Sequence, residues 1–164
     1  MDRGVILGKK NYLVISDLHI PYHHVDAFDF LYAVKTYYDC TEILNVGDVM
    51  DHHAGSYHES EPDAYSSETE YGQTKKYCLE LQEMFPDMYI AEGNHDKIPK
   101  RKLKTVGLPA TMVYDYNLLY GLKDTWKWAG KFMFDTKGGQ PVLAPMVLKR
   151  NHRWDKHIHG TSLK

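Results

Sequence analysis

The stretch Asn11-Tyr12-Leu13-Val14-Ile15-Ser16-Asp17-Leu18-His19-Ile20-Pro21 decides the fold class. A short, β-rich apolar run ends abruptly in a polar segment closed by proline, which reads as a buried strand and its exit loop. Phe28, Leu31, Val34 and Tyr38 then recur at helical spacing and predict a helix of roughly Val25 to Tyr38 with one packed face. The pattern repeats with Glu42-Ile43-Leu44-Asn45-Val46 as a second strand and Gly47-Asp48 in its exit loop. Tyr71, Thr74, Cys78, Leu81 and Phe85 mark a second helix, which Pro86 stops before a third strand, Met88-Tyr89-Ile90-Ala91. Strands alternating with helices predict an α/β domain whose parallel strands place their C-terminal ends on one edge. Ligands of open α/β sheets bind at that edge.

Each strand exit carries groups of one chemical kind. Asp17 and His19 follow the first, Asp48 and Asp51 the second, and Asn94, His95 and Asp96 the third. Oxygen and imidazole donors suit Mg, Mn, Fe or Zn rather than a soft thiolate site. Gly47 and Gly93 let the backbone turn tightly and bring side chains close to an ion. Two positions apart on an extended segment, Asp17 and His19 are expected to point the same way and to share one metal. Taken singly, each motif has an ordinary explanation, since Gly-Asp is a common turn and Asn-His-Asp can cap a helix. Three such motifs in order, each directly after a strand, converge on one sheet edge and predict a metal site there.

Composition bounds the rest. At 164 residues the chain has the length of one domain, residues 1–164, and 43% hydrophobic with 26% charged residues is the balance of a globular protein. No apolar run approaches the roughly 18 residues of a membrane span. The apolar stretch near the N-terminus is too short for a signal peptide and there are only two cysteines, so a cytoplasmic chain with reduced thiols is expected. A net charge of -2 leaves no global footprint for nucleic acid. Ten histidines favour metal chemistry, yet His23, His24, His52, His53 and His58 fall in predicted loops, where a solvated imidazole is the ordinary expectation. The polar stretch from His52 to Ser67 reads as a long loop that could act as a lid.

The three motifs, Asp17-Leu18-His19, Gly47-Asp48-Val49-Met50-Asp51 and Gly93-Asn94-His95-Asp96, resemble those of the calcineurin-like metallophosphoesterases. The resemblance covers roughly the first 125 residues, and the stretch from Asp51 to Ser60 with Gly107-Leu108-Pro109 looks most like phage and prophage members. It implies the family's sandwich fold with a parallel β-α-β half, and hydrolysis of phosphate esters on two divalent ions (Mn, Fe, Zn or Mg). It further implies that Asp17 and His19 bind the first ion, Asn94 the second, and Asp48 both. Asp51 would orient His95, which would protonate the leaving oxygen.

Residues 126–164 depart from the pattern. Trp126, Trp128, Phe132 and Phe134 suggest packed structure without clear periodicity, and Val142–Leu148 reads as a last strand at an edge. The family's remaining histidine ligands have only His152, His157 and His159 as counterparts, with Lys156 where a motif glycine would stand. One reading takes His157 and His159 as ligands. The other, which is preferred, takes the join near Ala129 to Gly139 as an internal deletion, leaving an abbreviated C-terminal part and a solvated tail. A degenerate, non-catalytic binding module is then the alternative to an active hydrolase. The expected partner is a phosphate-ester substrate, with a nucleic acid or nucleotide among the candidates, and no membrane. Lys97, Lys100, Arg101, Lys102 and Lys104 could receive a phosphate backbone or form a solvated helix face, and no aromatic residue interleaves them.

Overall fold

The computed structural model describes residues 10–57, 61–113, 115–135 and 141–144. Four parallel strands, β1 (Tyr12–Ile15), β2 (Glu42–Asn45), β3 (Met88–Ala91) and β4 (Trp126–Ala129), form one sheet in that order. Helix α1 (Ala27–Tyr37) links β1 to β2, and α2 (Ser67–Met84) lies between β2 and β3. Between β3 and β4 come α3 (Ile98–Thr105) and α4 (Tyr116–Tyr120). A separate antiparallel pair, β5 (Phe132–Asp135) and β6 (Pro141–Ala144), follows. The α/β class and the order of the first three strands match the sequence reading.

The fourth parallel strand was not foreseen. Trp126 is buried and the neighbouring Lys127 exposed, which is the alternation of a strand, but two bulky indoles in four residues hide that period among the other aromatics. The Trp126 indole N–H donates to the Phe85 carbonyl at 2.9 Å, and that of Trp128 donates to Asn117 Oδ1 at 2.9 Å, so both polar edges are satisfied. Residues 141–144 are a strand, as expected, whereas Pro145 to Leu148 and His152, His157 and His159 lie outside the described residues.

Leu13, Ile15, Ile43, Met88, Ile90 and Trp126 from the sheet pack with Phe28 of α1, Cys78 and Leu81 of α2, and Tyr116 and Tyr120 of α4. Helix α2 begins at Ser66, whose hydroxyl accepts the Thr69 N–H at 3.2 Å, and ends before Pro86. Its buried face runs through Glu70, Thr74, Cys78 and Leu81. Tyr71, which the helical spacing places inward, is 37% exposed, and the acidic Glu70 takes the inner position at 4%. No helix among the described residues is long and apolar enough to cross a membrane.

Candidate metal centre

The exit loops of β1 and β2 stay laced together beyond the strands. The Asp17 N–H donates to the Gly47 carbonyl at 3.1 Å, His19 to Asp48 at 3.0 Å, Ile20 to Val49 at 2.8 Å, and Asp51 back to Ile20 at 3.0 Å. Within this ladder Asp17, His19, Asp48 and His52 all hold left-handed backbone, with φ between 50° and 54°. Aspartate and histidine tolerate that region better than most residues, and such strain persists where surrounding bonds over-determine it. Asp17 and His19 therefore do not converge by the alternation of an extended segment, as the sequence suggested. Two left-handed turns bring Asp17 Oδ1 and His19 Nε2 to 3.8 Å.

The third loop is fastened to the second by two carboxylates. Buried Asp96 accepts three backbone N–H groups, from Asp48 at 2.9 Å, Met50 at 3.0 Å and Gly93 at 2.8 Å. In return Asp48 Oδ1 accepts the His95 N–H at 2.8 Å. Gly93 makes this closeness possible, because a Cβ there would land on the carboxylate and amide of Asp48. Burial pushes the Asp96 carboxyl up to about 6 against the pull of its N–H donors, so at neutral pH it is chiefly the carboxylate that both oxygens need in order to accept.

Two groups of candidate ligands result, Asp17 with His19 and Asp48, and His19 with Asp51 and His95, each with one donor atom per residue within 4.8 Å of the others. His19 Nδ1 is held by Asp51 Oδ1 at 2.6 Å, which leaves Nε2 toward Asp17. His95 Nδ1 donates to the Asp51 carbonyl at 2.8 Å and lies 3.1 Å from its Oδ1. Asp51 thus touches both imidazoles, and its shorter carboxylate contact is with His19. Asn94 is exposed on the same loop as His95.

A further layer was not legible as part of the site. The His52 ring, predicted to be solvated, is half-buried: Nδ1–H donates to the His95 carbonyl at 3.1 Å, and Nε2 accepts the Tyr120 hydroxyl at 2.9 Å. Burial lowers its pKa, in keeping with a neutral ring that donates on one side and accepts on the other. Glu70 accepts the N–H groups of His53 at 2.6 Å and Ala54 at 2.8 Å, fixing the 3-10 turn His53–Gly55 that follows Asp51. The start of the proposed lid is therefore anchored. His23 is not solvated either, since it stacks on Phe28 with ring centroids 4.5 Å apart.

A profile of calcineurin-like phosphoesterases matches residues 10–160. The chain belongs to the calcineurin-like phosphoesterase family. No individually curated protein matches it. The match to this family runs past the 125 residues that carry the three motifs. Calcineurin-like phosphoesterases are typically hydrolases of phosphate esters and generally bind divalent metals, and the donors gathered here fit such ions: carboxylate oxygens and imidazole nitrogens, with no thiol in either group. His19 fits closely, because a carboxylate on the far ring nitrogen is the usual support of a ligating imidazole.

The His19–Asp51 pair predicts a pH dependence. The hydrogen bond to Asp51 raises the His19 pKa against the opposing effect of burial, with the charges of Asp51, Asp48 and Asp17 adding to it. Burial acts to raise Asp51, but the hydrogen bond from His19 and the charges of His95, His19 and His53 hold it below the usual carboxylate range. A raised imidazole stabilises the fold fully below its ordinary pKa and loses that effect as pH rises through the raised value. A depressed carboxyl stabilises it above its ordinary pKa and loses that effect as pH falls through the depressed one. Urea unfolding of the metal-free chain should therefore show the largest deficit for Asp51→Asn in mildly acidic solution, shrinking toward both alkaline and strongly acidic pH. A deficit constant across pH would contradict the pairing.

Proposed function

We propose that the chain hydrolyses phosphate esters using two divalent ions held at the ends of β1, β2 and β3. Asp17 and His19 Nε2 would hold the first, Asn94 the second, and Asp48 both. The observation that carries this reading is the convergence of Asp17, His19 and Asp48 within 4.8 Å on loops locked to one another. Bound ions would supply Lewis acidity at the phosphoryl group and make water a stronger nucleophile at neutral pH. His152, His157 and His159 do not enter the assignment.

The chain's own residues have separable tasks. Asp48 brings a carboxylate that can sit between two cations and offset their repulsion. His95, with Nδ1–H fixed on the Asp51 carbonyl, presents Nε2 to the leaving oxygen. Protonated there, it would release its proton to the departing alkoxide, and the Asp51 carboxylate 3.1 Å from Nδ1 would favour the charged ring beforehand. His52 and Glu70 keep the Asp51 segment and the His95 loop in register.

Two substitutions test these tasks. Asp48→Asn should lose the second ion in a metal titration and lose hydrolysis of a generic aryl phosphodiester; two fully occupied ions in that variant would remove the bridging role. His95→Ala should keep its metals while turnover falls by about 10²–10⁴, with a smaller loss for acidic leaving groups. An equal loss across leaving groups would take His95 out of the acid role.

A further inference from the structure

Helix α3 starts within one turn of His95, the Ile98 N–H donating to the His95 carbonyl at 2.9 Å. Its four cations and Lys97, which precedes it, are not equivalent. Lys100 pairs with Glu92, and Lys97 donates to the Glu92 carbonyl at 2.7 Å, so both are committed to the base of the loop. Among the described residues, Arg101, Lys102 and Lys104 have no carboxylate partner. Across from them stands an aromatic ring that the sequence does not place in the cluster. Tyr57, from the segment leading away from Asp51, has Lys102 Nζ 3.8 Å and Arg101 Cζ 5.4 Å from its ring centroid. Its hydroxyl is tied to Thr105 Oγ1 at 2.9 Å. The ring is thus held at one end, yet 55% of the residue remains exposed.

An exposed aromatic ring beside cations that no carboxylate among the described residues neutralises is how sequence-tolerant sites hold single strands: the open side of the ring takes a base and the cations take the backbone. The two walls of this face lead into the centre, one through the 3-10 turn after Asp51 and the other through the start of α3. Arg101 and Lys102 lie about one turn along α3, roughly 5 Å from its start. We infer that Tyr57, Arg101, Lys102 and Lys104 form a binding face for single-stranded nucleic acid that continues into the metal centre. The phosphate ester would then be a phosphodiester link of such a strand, which rests on the hydrolytic reading above. An acidic protein would need the cations alone, and a duplex would keep its bases from the ring, so Tyr57 separates these cases.

The test is fluorescence anisotropy of a labelled phosphorothioate oligothymidylate, which resists hydrolysis, titrated with the full chain in the presence of Mn. Tyr57→Leu should weaken binding roughly 5- to 150-fold, the worth of one stacked base, while Tyr57→Phe, which keeps the ring but loses the tie to Thr105, should weaken it less. Arg101→Gln with Lys104→Gln should lower the slope of log affinity against log salt by about 1.4, close to 0.7 per cation. None of these variants should change hydrolysis of a small aryl phosphodiester. Absence of saturable binding, equal binding by Tyr57→Leu, or polyglutamate bound as tightly as the oligonucleotide would each overturn the inference. Tyr57-dependent binding by a chain that hydrolyses no diester would uphold the face and reject the hydrolytic reading, so the two fail separately.

Discussion

The carboxylate of Asp96 is the constraint on which the site depends. It is fully buried, and its burial is tolerated because three amide N–H groups from two different strand exits point at it. Without it those donors would be left unpaired in the interior, at about 1–3 kcal/mol each. The same bonds set how far the β2 and β3 loops stand apart, and the missing side chain at Gly93 lets them close until His95 reaches Asp48. Left-handed backbone at Asp17, His19 and Asp48 would relax in a free loop, but here each lies in the ladder that joins the β1 and β2 exits. Geometry suited to a cation is thus imposed from below, by backbone and core.

Around this lock the imidazoles are held in place by hydrogen bonds to neighbouring side chains. Asp51 takes one nitrogen of His19 and touches one nitrogen of His95, and His52 holds the His95 carbonyl while resting on Tyr120. Tyr116 donates to the Asp96 carbonyl at 2.8 Å, so α4 supports the third loop from beneath as well. Hydrogen bonds thus run from the helical layer to the loops that carry both imidazoles and fix the orientation of the rings.

How much of this could be read from the residues depended on whether a local pattern carried it. β1, β2 and β3 and the helices between them announce themselves through periodicity and breakers, and the three motifs stand where those strands end. Alternation at Trp126 to Ala129 is present too, but four residues with two indoles are too few to set a period. The bonds of Asp96 to the β2 exit, those that hold buried Glu70 and those of His52 are long-range, joining residues from 16 to 68 positions apart, and nothing local marks them. An acidic residue in the first turn of a helix looks solvated until the helix is docked, and a loop histidine looks free until its carbonyl partner is known. The left-handed turns at Asp17 and His19 were hidden for the same reason, since the ladder that enforces them belongs to another segment. The convergence anticipated at the sheet edge was therefore right in place while its local geometry was not.

The central claim is that these locked loops present a two-ion centre, and anomalous diffraction from crystals grown with Mn tests it most directly. Two peaks about 3.5–4 Å apart are expected, the first beside Asp17, His19 Nε2 and Asp48, and the second between Asp48 and Asn94. A single ion, no ion, or an ion on His19 Nδ1 with Asp51 displaced would contradict the account.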